Sequence, residues 1–309
     1  MNVPIADGLL VLDKPGGMTS RAVVDRVLRW FPRRTRIGHT GTLDPLATGV
    51  LVLCLGGATR LSEYVQLMNK TYRTRLLLGA RSDSDDADGT ITPVAGTLAP
   101  TAAAVEACAA AFVGVIEQVP PAYSAAKVSG RRAYDLARRG EEVMLRPRSV
   151  RIYAVQILDY AYPYLELKVD CGKGTYIRSL ARDLGERLGC GALVQSLRRT
   201  RVGPFTAEEA LTLDSNADTV RAQVMPAETA VAELPRLVLP DNDLKRLCQG
   251  QKVLLESRSV SEGAPALACA SGSEECCTAV FDSADRLAAI AVFDPQRKTL
   301  HPAKVLQSK

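Results

Sequence analysis

The apolar residues of this chain are gathered into short runs, each stopped by glycine, proline or charge, and that limits the folds open to it. GLLVL at 8–12 ends in Asp13 and Lys14, followed by the turn-forming Pro15-Gly16-Gly17. GVLVLCLG at 49–56 starts and finishes on glycine. Runs of this kind suit buried strands of about four to eight residues. The longest uncharged stretch, 89–105, contains Pro93 and Pro100, so it is too short and too broken to span a bilayer. Further strands are expected at 71–78, 150–160, 164–171 and 192–202. Helical spacing appears at 20–31, with Thr19 or Ser20 as cap and Val23, Val24, Val27, Leu28 and Phe31 on one face. Other helices are expected at 59–68, 101–112, 133–139 and 175–188. Loops are expected at 33–42, at the acidic 83–88, and from 119, where Pro120-Pro121 exclude regular structure. Strands and helices mix without steady βαβ alternation, which predicts an α+β fold and not a doubly wound sheet. From Pro235 short apolar stretches alternate with turn residues, the pattern of a small β-rich domain. The expected domains are therefore 1–234 and 235–309.

Charge sharpens this division. The net charge of the 309 residues is only +5. Residues 1–202 hold 28 basic and 19 acidic groups, net +9; residues 203–234 hold one and six, net −5; residues 235–309 hold ten and nine. Arg21, Arg26, Arg29, Arg33, Arg34 and Arg36 fall together with one acid, Asp25. Lys127, Arg131, Arg132, Arg138, Arg139, Arg146, Arg148 and Arg151 form a second cluster, and Arg198, Arg199 and Arg201 a third. Arginine clusters suit phosphate contact, because a planar guanidinium pairs two oxygens at once. A solvated, solubilising face is the alternative. The acidic 203–234 reads as a connection.

The eight cysteines show no CxxC spacing, and there are two histidines. No metal site is expected. The run before Asp13 is shorter than a signal-peptide core, so the expectation is a cytoplasmic protein with reduced thiols.

The most informative stretch is GHTGTLDPLATG at 38–49. Pro45 drives Asp44 away from helical geometry, and the glycines let backbone bend closely around a ligand. Taken alone, an aspartate in such a loop is more often a turn residue than a catalytic one.

This stretch resembles the catalytic motif of the bacterial tRNA pseudouridine-55 synthases. GLLVLDKPGGMTS, KTYRTRLLLGARSDSDDADG, VPPAYSAAKVSGRRAYDLARRG and CGKGTYIRSLARDLGERLGCGALVQSLRRTRVGPF resemble that family's other motifs, in its order. Ser82 and Ser84 stand where the family commonly has threonines. The tail resembles the family's C-terminal PUA-type RNA-binding domain only weakly, through LCQGQ and LHPAKVLQ. The resemblance implies a pseudouridine synthase fold: a mixed, largely antiparallel central sheet flanked by helices and loops, with a PUA-like domain behind it. It implies isomerisation of uridine 55 in the T loop of tRNA to pseudouridine, with the base flipped out and no cofactor. Asp44 would be the reacting carboxylate, and Arg178 its partner, lowering its pKa. Tyr72 would stack on the uracil and Leu197 would close the apolar side. His39 would fill the vacated base stack. Tyr176, Lys127 and Lys14 would add substrate contacts, and the insertion 119–150 would grip the T arm. The partner would be tRNA, through its T arm and acceptor stem, with no membrane and no obligatory protein partner; the chain would be a monomer. Two other readings are a guide-dependent synthase working inside a ribonucleoprotein, and an RNA-folding chaperone. The basic insertion favours the stand-alone enzyme over the first, and Asp44, Tyr72 and Arg178 argue against a chaperone alone.

Overall fold

The computed structural model describes residues 7–124, 127–128, 131–132, 144–255 and 276–306. The helix expected at 133–139 lies outside them.

The strand-length runs form the centre of the molecule. β1 (Gly8–Lys14) and β3 (Thr48–Leu55) pair antiparallel, and both are buried on both faces. Successive side chains of a strand point to opposite faces. Leu10, Leu12, Leu51, Leu53 and Leu55 therefore enter one apolar cluster with Val23, Val24 and Val27 of α1 (Ser20–Leu28). Leu9, Val11, Val50, Val52 and Cys54 enter a second, with Leu61 and Val65. Burial on both sides is why these strands lack polar alternation. Thr19 caps α1, its hydroxyl accepting the Ala22 N–H at 3.0 Å. Arg21, Arg26 and Arg29 lie exposed off the packed face.

β2 (Ile37–His39) pairs antiparallel with β3. A 3-10 turn, Gly56–Leu61, runs into α2 (Ser62–Leu67) and then β4 (Lys70–Leu78). A hairpin of β5 (Ala80–Ser82) and β6 (Ile91–Pro93) brackets the acidic loop. Next come α3 (Ala102–Ala110), β7 (Gly114–Gln118), β8 (Arg148–Ala161), β9 (Tyr164–Cys171), α4 (Ile177–Arg187) and β10 (Ala192–Val202). The sheet runs β1-β3-β10-β4-β9-β8-β7. β3 and β10 are parallel, and the other neighbours on this path are antiparallel. The expected mixed, largely antiparallel α+β sheet is present.

Two expectations are corrected. Residues 33–42 are not wholly loop, because Ile37–His39 add to the edge of β3. Residues 203–234 are more than a connection. Leu211 bonds through its backbone to Val11 and Asp13, at 3.0 and 2.8 Å. Val220 of α5 (Ala217–Ala222) joins the α1 cluster, while Ala230 and Val231 join the other. The six acids of this segment stay exposed.

At the C-terminal end, β11 (Arg236–Val238), α6 (Asp241–Cys248), β12 (Val253–Leu254), β13 (Cys276–Phe281), β14 (Leu287–Asp294) and β15 (Thr299–Val305) form a five-stranded sheet with one helix. Ala279, Phe281 and Ile290 continue the second apolar cluster. Lys304 reaches back to Glu63 at 2.5 Å and to the Arg60 carbonyl at 2.6 Å. Among the described residues no helix is long and apolar enough to cross a membrane.

The parallel step from β3 to β10 depends on Gly49. Its φ is +101°, and a Cβ there would fall on the Arg199 carbonyl. Gly49→Ala is expected to lower stability by about 3 kcal/mol, from a left-handed backbone plus backbone overlap. Urea unfolding measures this, and an unchanged midpoint would show that the two strands separate there without cost.

Candidate active site

Asp44 lies in the loop between β2 and β3, and its backbone is fastened on both sides. On one side Ser20, at the start of α1, donates to the Leu43 carbonyl at 3.0 Å and accepts the Leu43 N–H at 2.8 Å. On the other, the Pro45 carbonyl accepts the Gly17 N–H at 2.8 Å and Lys14 Nζ at 3.2 Å. The N-terminal motif thus builds the seat for the aspartate that follows it in sequence.

Lys14 departs from its expected role as a substrate contact. It is fully buried, and its ammonium also donates to the Pro15 and Met18 carbonyls at 2.8 and 2.6 Å. Burial pulls its pKa down to about 8, with Asp44 acting in the opposite direction. Lys14 fastens the loops and adds positive charge near Asp44; it does not line the cleft.

Arg178 is the second residue of α4. That helix begins after the Gly172–Gly174 turn. Tyr176, its N-cap, is held by Gln118, which accepts its N–H at 2.7 Å and donates to its carbonyl at 3.0 Å. Ile177, Leu180, Ala181 and Leu184 pack into the core. Arg178 is only 5% exposed and grips Asp44 at two points: Nη2 donates to Oδ1 at 3.0 Å, and Nε lies 2.9 Å from Oδ2. The guanidinium also donates to the Ser84 and Tyr123 carbonyls at 2.9 and 2.8 Å and lies 3.4 Å from Asp86 Oδ2. Asp86 is itself buried, accepting from Ser84 Oγ at 2.6 Å and the Asp88 N–H at 3.1 Å. One turn along α4, Arg182 binds Asp85 at 3.1 Å.

The sequence reading identified 83–88 only as an acidic loop. Its signal was available: two adjacent aspartates and two arginines one helical turn apart, so that both arginines share a face.

These elements surround a cleft of about 360 Å³. His39, Asp44, Tyr72, Tyr176, Leu197 and Arg199 all line it, so the fold brings most of the expected residues together. Lys127 belongs to a two-residue strand paired with Arg131–Arg132, and its side chain lies outside the described residues. Tyr72 is 9% exposed, and burial pushes its phenol above its ordinary range. Lys70 also lines the cleft, its ammonium donating to the Gln66 and Met68 carbonyls at 2.6 and 2.5 Å. Burial pulls Lys70 down to about 8. The third arginine cluster divides: Arg198 pairs with Asp13 at 2.7 Å, Arg199 is buried, and Arg201 is exposed. The six arginines of the first cluster are all exposed.

Among the described residues no group of three or more His, Cys, Asp or Glu is placed to hold a metal ion.

The TruB family pseudouridylate synthase N-terminal model matches residues 29–177, and the tRNA pseudouridylate synthase B C-terminal domain model matches 178–243. A protein named tRNA pseudouridine synthase B from Dehalococcoides mccartyi is 40% identical over 308 residues, covering 98% of this chain and 97% of that one. One of the same name from Thermobifida fusca is 45% identical, covering 81% and 87%. The chain belongs to the TruB family. It is accordingly an enzyme, a pseudouridylate synthase, and an isomerase. Among solved structures, a chain of a Cbf5-Nop10-Gar1 complex is similar at TM-score 0.71 and 26% identity, covering 97% of this chain and 85% of that one. A chain of an H/ACA RNP bound to a substrate RNA containing 2′-deoxyuridine shares the fold, at TM-score 0.69 and 23% identity.

One electrostatic expectation changes. Arg178 does pull the Asp44 carboxyl downward, but burial is the larger effect and pushes it above the usual carboxylate range, with Asp86 adding to the push. A reaction that uses ionised Asp44 is lost as pH falls through that raised value. Arg178→Lys keeps a charge but not the two-point grip. In that variant the acid limb of kcat/KM is expected to move upward by about one pH unit. A pH–rate profile on an RNA substrate measures the shift.

Proposed function

We propose that this enzyme isomerises uridine 55 in the T loop of tRNA, using Asp44 on a base extruded into the cleft, without a cofactor. One observation carries the reading. A carboxylate 32% exposed opens onto the cleft while a buried arginine holds both of its oxygens, in a chain 40% identical across 98% of its length to a tRNA pseudouridine synthase B.

The chemistry fits such a group. The N1–C1′ bond breaks, the uracil turns, and C5 bonds to C1′. C5 then loses its proton and N1 gains one, so the atoms are conserved. A fixed carboxylate beside the sugar–base junction can add to C6, attack C1′, or remove a sugar proton toward a glycal, as carboxylates act near the developing sugar cation in glycosidases. Tyr72 stacks on the base and Leu197 closes the apolar side. Extruding a base leaves a gap in the stack, and His39, on the cleft wall, fills it. Tyr176 contacts the nucleotide from the N-cap of α4. Lys127 and the exposed Arg146, Arg148 and Arg151, in and just after the 119–150 segment, hold phosphates of the T arm. Residues 1–234 form the catalytic domain, and 235–309 a PUA-type domain on the acceptor stem. The enzyme works as a cytoplasmic monomer. Identity of 40–45% to proteins named tRNA pseudouridine synthase B, against 26% to a chain of the Cbf5-Nop10-Gar1 complex, favours action without a guide complex.

Asp44→Asn is expected to abolish tritium release from [5-³H]uridine-labelled tRNA while changing tRNA affinity less than about threefold, since the amide keeps the shape and one of the two acceptors that face Arg178. Comparable turnover in that variant would refute the role of Asp44. Binding is expected to weaken steeply between 50 and 200 mM salt, about tenfold or more, as phosphate contacts release counterions. A flat salt response in a filter-binding titration would remove the arginines from the RNA surface.

A further inference from the structure

Arg199 belongs to no motif role assigned so far, yet it stands at the centre of the cleft wall. The register of β10 against β4 sets Arg199 directly opposite Tyr72. Residues directly opposite in an antiparallel pair lie on the same face of the sheet. Arg199 is 3% exposed. Its Nε donates to the Val50 carbonyl at 2.7 Å, and Nη2 donates to the Gly41 carbonyl at 3.1 Å. Two backbone anchors thus fix the guanidinium plane. One anchor is on β3 and the other in the loop that carries Asp44. Gly49, opposite Arg199 on the other side, lets β10 approach closely enough for both. The Arg199 and Tyr72 side chains are therefore cross-strand neighbours, and both line the cleft.

We infer that Arg199 is a positioning residue for Tyr72: it fixes the phenol against the bound uracil and stabilises the phenolate form that takes up the C5 proton. The inference rests on reading the cleft as the uridine site. In the closing step the C5–H bond breaks, its electron pair restores the C5–C6 double bond, and the proton passes to the phenol oxygen directly or through water, while N1 takes a proton. A neutral phenol is a very weak base, so the phenol oxygen takes this proton effectively only as phenolate. A free tyrosine has a pKa of about 10, and burial pushes Tyr72 higher. Arg199 acts the other way, while Cys171 and Asp44 push upward; Lys70, Lys173 and Arg178 line the same cleft. An arginine held by two carbonyls supplies this field without moving, which is what preorganised electrostatic stabilisation requires.

The test uses the full chain with 3-fluorotyrosine at position 72, whose more acidic phenol is followed by ¹⁹F NMR. Arg199→Lys and Arg199→Gln are each compared with the parent. The expected result is titration of residue 72 about one unit higher in Arg199→Gln, with kcat down about tenfold or more and KM within about threefold. Arg199→Lys, which retains charge but only one donor centre, is expected to lie between. Tyr72→Phe combined with Arg199→Gln is expected to be no slower than Tyr72→Phe alone, because the two act as a unit. Unchanged titration in both Arg199 variants, or losses that multiply in the double variant, would overturn the inference. Should Arg199→Gln fail to fold, Arg199→Lys decides by the same readings. Wild-type turnover in Tyr72→Phe would also overturn the inference, because phenylalanine stacks but carries no oxygen; absence of any uridine conversion by the folded, tRNA-bound parent would instead sink the uridine-site reading, a separable failure.

Discussion

The two-point grip of Arg178 on Asp44 is the interaction on which the rest of the cleft depends. A charge taken out of water is costly unless it is paired and its remaining hydrogen-bonding positions are filled. Arg178 is paired with two carboxylates and donates to two backbone carbonyls, drawn from the Asp44 loop, the acidic loop and the segment at Tyr123, while its Nε meets Asp44 Oδ2 as an ion-pair contact without hydrogen-bond geometry. With Lys14 nearby, two cations and two anions lie close together. Lys14, Arg178 and Asp86 are buried, and Asp44 alone of the four keeps a substantial exposed face. The network thus leaves its negative charge available at one place, the carboxylate that opens onto the cleft.

The sheet supplies the rigidity that this arrangement needs. β1 and β3, packed on both faces, hold the two turns that seat Asp44. β10 enters beside β3 at Gly49 and carries Leu197 and Arg199 to the cleft, while β4 brings Tyr72 from the other side. Reacting and recognising groups therefore sit on strands, on the first turn of a helix, or in a loop fastened to both, where small backbone shifts are opposed by the core. The arginines outside this frame, from Arg21 to Arg36 and at Arg146, Arg148 and Arg151, remain exposed for an extended polyanionic partner.

Much of this was legible in the residues. The unbroken apolar runs identified β1 and β3 because burial on both faces removes the polar alternation. Thr19 announced α1 through side-chain capping, and the run of alanines announced α3. Asp44 and Arg178 were identified through motif resemblance, since nothing local distinguishes a catalytic aspartate from a turn aspartate. What remained hidden depended on direction and distance in space. Lys14 sits in a motif beside the site, but its side chain points into backbone carbonyls. Arg198, Arg199 and Arg201 look alike in sequence, yet strand alternation and a bulge send them to an ion pair, to the cleft and to solvent. β2 escaped notice because Ile37 alone gives a three-residue edge strand little apolar signal. α6 escaped because only Leu244 and Leu247 bury.

The central claim is that this cleft converts one particular uridine, and position-resolved mapping of pseudouridine tests it most directly. Unmodified tRNA transcripts are incubated with the purified chain and no added cofactor, and every uridine is then read. Conversion confined to uridine 55 of the T loop is the predicted result. Conversion at other positions, or none while the protein is folded and bound to the tRNA, would contradict the account.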